Sequence, residues 1–174
     1  MSNEAAIKDL TDRIQGVLQG RSLSRDILLE MGQIFLAEMQ ENFRVGGRPA
    51  PWKESARVRY SGGQTLLKSG ALMRSLTVDI PDDSIVISSN KIYARIHALG
   101  GVIRAKNGEY LMFRAPAGMR STDKHGRPLK QAKALHSWVR VKQVTMPRRD
   151  FTFISESGFN RAFGVIERQM KAGI

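Results

Sequence analysis

Residues 24–43 restrict the fold more than any other stretch. Ile27, Met31, Ile34, Phe35, Met39 and Phe43 recur every three or four positions, which puts them on a single stripe of an α-helix. Ser24 is placed to cap its N-terminus, and Asp26 lies in the first turn, where the helix dipole favours a carboxylate. Such a helix is about 30 Å long at 1.5 Å per residue. Gly46, Gly47 and Pro49 end it, since glycine turns left-handed at low cost and proline cannot continue the helix.

The other elements follow from shorter signals. Ile7, Leu10, Ile14, Val17 and Leu18 predict an earlier amphipathic helix within residues 1–20, peripheral to the rest and closed by Gly20. A loop over 45–63 holds Trp52 as its one large apolar anchor. Residues 66–73 predict a short helix, and Leu76 to Ile80 alternates like a strand. The turn Pro81-Asp82-Asp83 leads to a returning strand at 85–88. Residues 91–99 predict a short helix ended by Gly100-Gly101. Asn107-Gly108, between residues 102–106 and 109–113, predicts a two-residue type I′ hairpin. Residues 139–144 and 151–154 predict further strands. Phe159, Phe163, Ile166 and Met170 form the stripe of a closing helix, with Gly173 past its end. This order implies an α+β fold: N-terminal helices and a C-terminal helix packed on a mostly antiparallel sheet, in one domain spanning 1–174.

Charge is unevenly spread. Residues 1–90 carry as many acidic as basic side chains, whereas residues 91–150 carry 14 Lys/Arg against Glu109, Asp123 and Asp150, nearly all of the net +12. A segregated charge points to an anionic partner more strongly than an evenly basic surface does. Residues 114–137 read as a long basic loop or insertion, with little periodicity and with Gly118, Gly126 and Pro128. Cysteine is absent, which removes disulfides, thiolate metal sites and cysteine nucleophiles and fits folding in a reducing cytoplasm. Neither a secretory signal at residues 1–8 nor an apolar run long enough to span a membrane is visible.

The chemistry of enzymes finds no footing in these residues. Gly62-Gly63-Gln64-Thr65-Leu66-Leu67-Lys68-Ser69 has the outline of a phosphate loop, but Leu67 stands where a second glycine must let the backbone wrap phosphate; a loop-to-helix transition is the better reading. His97, His125 and His136 lack metal-ligand spacing, and a structural hydrogen bond is the ordinary role for His97. Asp79, Asp82 and Asp83 look like turn chemistry, not an acid–base pair. No catalytic residue, metal site, cofactor or small-molecule substrate is expected.

Four segments in order carry a resemblance. They are residues 43–52 (Phe43, Gly47, Pro49, Trp52), 66–76 (Gly70, Leu72), 93–101 (Tyr93, His97, Gly100, Gly101) and 146–151 (Pro147, Arg149, Phe151). Together they resemble the virion-morphogenesis, or tail-completion, family of Mu-like and P2-like phages. Ala98-Leu99 and Asp150 depart from the family's pattern without removing a reactive group. The ordinary role of the motif residues is architectural: Gly47 and Pro49 stop the helix, Trp52 pins the loop, Gly70 breaks a helix into a strand, and Gly100-Gly101 gives a sharp exit.

The resemblance implies a non-enzymatic protein that completes the tail and joins it to the head. It implies a ring of six at the head–tail junction of the virion, assembled in the host cytoplasm beside other tail and neck proteins. Arg114, Arg120, Lys124, Arg127, Lys130 and Lys133 in the basic loop are the expected contacts, facing either a partner protein or passing DNA. A protein contact is favoured, because tight binding to exiting DNA would impede ejection. The alternative is a free-standing nucleic-acid-binding module using residues 91–150, although no recognised reading motif is present.

Overall fold

The structure, a computed structural model, describes residues 8, 11–12, 14–15, 23–115 and 137–171. The basic-loop residues Arg120, Lys124, Arg127, Lys130 and Lys133 lie outside these, as do Gly173 and most of the expected first helix. Of that helix, Lys8, Thr11, Asp12, Ile14 and Gln15 are helical, and Ile14 packs on the core.

The long helix forms as expected. α1 spans Arg25–Val45, with the Ser24 side chain accepting from the Ile27 N–H and Gly46 left-handed at its C-terminus. Its stripe meets α4 (Glu156–Lys171). Ile27 and Met31 pack with Ala162, Val165 and Ile166, while Phe35 and Met39 cover Ile154, Phe159 and Phe163. Two small residues let the layers approach. A Cβ on Gly158 would lie 2.6 Å from Glu38 Cγ, and one on Gly32 would lie 2.6 Å from Val78 Cγ1. Gly32 faces the ribbon of β1 (Leu76–Asp79) and β2 (Val86–Ser89), which lies across α1.

The class is α+β, and among the described residues the strands form three two-stranded antiparallel ladders. β3 (Gly101–Arg104) pairs with β6 (Gln143–Met146), and β4 (Leu111–Ala115) pairs with β5 (Ser137–Val141). These two ladders make one arm, because the chain climbs through β3 and β4 and returns through β5 and β6. Residues 105–110 stand opposite Lys142 alone, so Asn107-Gly108 turns a bulge within the arm and not the expected hairpin. A type I′ turn needs positive φ at both central residues. Gly108 has it, but among described non-glycine residues only Leu66 and Asp82 do. The expected strand at 139–144 accordingly divides at Lys142 into β5 and β6.

Three further expectations fail for local reasons. The loop at 45–63 contains a short helix, α2 (Ala56–Ser61), capped by the Ser55 side chain. Residues 66–73 are not helical, since Leu66 and Gly70 both take positive φ, and only Met73–Ser75 makes a 3₁₀ turn. Residues 151–154 pair with no strand among the described residues. Their carbonyls are held by a side chain instead: Asn42 Nδ2 donates to Phe151 O at 3.0 Å and to Phe153 O at 2.7 Å. The expected short helix before Gly100 is present as α3 (Ala94–Leu99).

Candidate functional site

The end of α1 anchors the site. Past the left-handed Gly46, Gly47 adopts φ +120°, and the Trp52 N–H turns back to Gly46 O at 2.8 Å. The Trp52 ring meets the fully buried Phe43 edge-on, with ring centres 5.6 Å apart, and Phe151 lies on Phe43 at 5.1 Å. Trp52 Nε1 donates to Asp150 O at 3.3 Å. Gln64 Nε2 donates to Phe43 O and Arg44 O at 2.7 and 2.6 Å, supplying partners for carbonyls that a helix end leaves open. A Cβ on Gly100 would sit 2.7 Å from Arg148 N, which is why α3 can press against the 146–149 backbone. There the Arg149 N–H donates to His97 O at 2.9 Å.

Residues 53–59 and the segments 66–76, 93–101 and 146–151 enclose a cleft of about 530 Å³. Its walls include Leu66, Leu72, Tyr93, Met146 and Pro147, and its charged lining is Lys53, Arg57, Arg59, Lys68 and Arg149 against Glu54. Arg57 is committed to the carbonyls of Gly62 and Gln64. Lys53, Arg59 and Lys68 are exposed, and no described carboxylate pairs with them.

Arg149 is only 3% exposed. Its Nε donates to Lys53 O at 3.0 Å, and no described carboxylate pairs with its guanidinium. Burial pulls its pKa below the usual arginine value. His97, also in the lining, has a buried Nδ1 without a hydrogen-bond partner among the described residues. Burial first, and the Arg149 charge second, lower its pKa and favour neutral imidazole. A cationic group withdrawn from water without a carboxylate beside it raises the local positive potential and favours an anion in the cleft.

Behind the cleft, a polar clamp fixes the frame. Glu38 accepts from the Ser155 hydroxyl at 2.6 Å and from its N–H at 3.2 Å, and pairs with Arg48 at 3.0 Å and with Arg161. Arg48 Nε also donates to Asn42 Oδ1 at 2.7 Å. Together these bonds tie the 151–155 segment and α4 to α1.

Of the expected motif residues, Leu72, Tyr93, His97, Pro147 and Arg149 line the cleft. Phe43, Trp52 and Phe151 form the aromatic stack behind it, while Gly47, Pro49, Gly70, Gly100 and Gly101 shape the connecting backbone. Arg114 is described only as a backbone position in β4. The His97 carbonyl accepts from the Arg149 N–H, and its imidazole Nδ1 has no hydrogen-bond partner among the described residues. Sequence reasoning missed Lys53, Arg57, Arg59 and Lys68 because it weighed the basic third of the chain. The available signal was that Lys53, Arg57 and Arg59 closely follow the first motif segment and Lys68 lies within the second. Among the described residues no cluster of three His, Asp or Glu could hold a metal, and no helix is long and apolar enough to cross a membrane.

Comparison with known proteins gives these segments a context. A Mu-like prophage FluMu G protein 2 from Haemophilus influenzae is 27% identical over 94 residues, 54% of this chain and 65% of that relative, so just under two thirds of the relative's length is matched. No solved structure matches. The sequence profile of the phage virion morphogenesis family matches residues 5–171. The chain belongs to the phage virion morphogenesis family.

Proposed function

We propose that this protein completes the phage tail and joins it to the head, acting as a ring subunit at the head–tail junction and not as an enzyme. The observation that carries the reading is the convergence of three motif segments (66–76, 93–101 and 146–151) on one basic, apolar-walled cleft, with the aromatic residues of the first packed behind it. That cleft holds an unpaired buried guanidinium and is suited to capture, since it offers an anion receptor on a rigid frame. Its partners are further copies of this chain and other tail and neck proteins, with at most non-specific contact to passing DNA. A free-standing nucleic-acid module fits less well. The cations lie inside a concave cleft, whereas a duplex presents its phosphates on a convex backbone, and no recognised reading motif is present.

The test is genetic. An amber mutation in the gene is expected to leave filled heads and separate tails in electron micrographs of lysates. Normal yields of joined, infectious particles would overturn the proposal.

A further inference from the structure

The two ends of the long helix carry opposite surfaces. At its start, Arg25 Nη1 donates to Ile80 O at 3.3 Å and so brings the β1–β2 turn to the N-terminus of α1. That turn is closed by Ser84, whose N–H and hydroxyl both reach Pro81 O, at 3.2 and 2.8 Å. Asp82 takes φ +51° at its tip, and Asp79, Asp82 and Asp83 are all exposed. None of the three forms an ion pair among the described residues. At the far end, Gln64 caps α1 and leads into the basic cleft. The intervening 21 residues separate the two by about 30 Å. One copy therefore cannot bring its own turn into its own cleft.

We infer that the Pro81–Ser84 turn of one copy docks in the basic cleft of the next, with the Asp82 and Asp83 carboxylates answering Arg149 and Lys68. This deepens the ring reading and rests on it. Three observations favour a second copy as occupant. The signs match: the cleft lining is five cations to one carboxylate, and the turn is an unpaired carboxylate cluster. The shapes match, since a tight preformed turn suits a concave site whose deepest charge is a planar guanidinium able to grip a carboxylate with two N–H groups. The placement matches as well. Different surfaces at opposite ends make a heterologous contact, which closes into a ring when the rotation per copy allows.

The test exploits the absence of cysteine from the chain. The unaltered full chain is first sized, alone and in purified particles. A monomer in both would remove the ring reading and this contact with it. The full chain carrying Ser69→Cys in the cleft lining and Ser84→Cys in the turn is then treated with a short bis-maleimide; both changes leave every charge in place. The expected result is a ladder of covalent oligomers ending at the ring size, with each single variant uncross-linked. A ring whose doubly substituted chain stays uncross-linked overturns the contact but spares the ring reading, and an acidic segment of another protein or a nucleic acid then becomes the occupant. A cross-linked dimer from Ser84→Cys alone would mean a two-fold contact and would also overturn it. As a second readout, Asp83→Lys and Lys68→Glu are each expected to weaken assembly at least tenfold, and their combination in one chain to restore it. Failure of the combination to restore assembly, with both single variants folded, counts against the pairing.

Discussion

Glu38 is a carboxylate 5% exposed between two helices, a position that costs free energy unless every oxygen is answered. Burial pushes its pKa up, but the Ser155 bonds and the Arg48 and Arg161 charges outweigh this and hold it below the usual 4.5. Glu38→Ala leaves Arg48 without its ion pair and is expected to cost roughly 3 kcal/mol, read as a lower urea midpoint. Because the folded value is depressed, this stabilisation is present above about pH 4.5 and is lost as pH falls through the folded value. His97 acts at a milder pH. It too is depressed, so folding disfavours its proton; its contribution is full above about pH 6.5 and falls away as pH drops through the folded value. Thermal midpoints measured from pH 7 to 5 should therefore decline for the unaltered chain and decline less for His97→Gln. Equal slopes would mean that His97 titrates as it does in the unfolded chain.

At the scale of elements, the junction after α1 is the most tightly specified. A Cβ at Gly47 would lie 2.7 Å from both the N and the Cδ1 of Trp52, and the backbone there has φ +120°. Strain and overlap act together, so Gly47→Ala is expected to cost about 2–3 kcal/mol, seen as a lower thermal midpoint with weakened tertiary signal from Trp52. This junction was legible in the sequence because glycine, proline and tryptophan each carry one dominant local meaning. The arm was not. Asn107-Gly108 is a strong local turn signal, yet the partners of β3 and β4 lie across residues 116–136, and pairing at that separation leaves no local trace. Residues 151–154 looked like a strand for a similar reason: extended apolar backbone reads alike whether a neighbouring strand or the Asn42 side chain satisfies it. The cleft was half legible, its backbone through the motifs and its cations only at Arg149. The arm strands pack little against the long helices, and β3 is exposed along its length. Amides of 101–104 and 111–115 should then exchange with solvent well before those of 27–43; equal protection would show that the arm is held by contacts other than its own ladders.

For the whole molecule, the distribution of charge matters more than its sum. A contact between an acidic turn and a basic cleft draws on screened attraction, and raising salt from 0.1 to 1 M shortens the Debye length from about 10 to about 3 Å. Sedimentation of the full chain across that range is expected to show smaller species at high salt, whereas an interface built on apolar burial would hold or tighten. α1, which separates the two docking ends, then acts as a gauge. In the proposed ring of six, each copy would contribute about 30 Å of perimeter, making a circuit of about 180 Å and a width of roughly 60 Å. The bore would follow from the number of turns in one rigid rod. Adding a turn to that rod would widen the bore, while lengthening a surface loop would leave it unchanged.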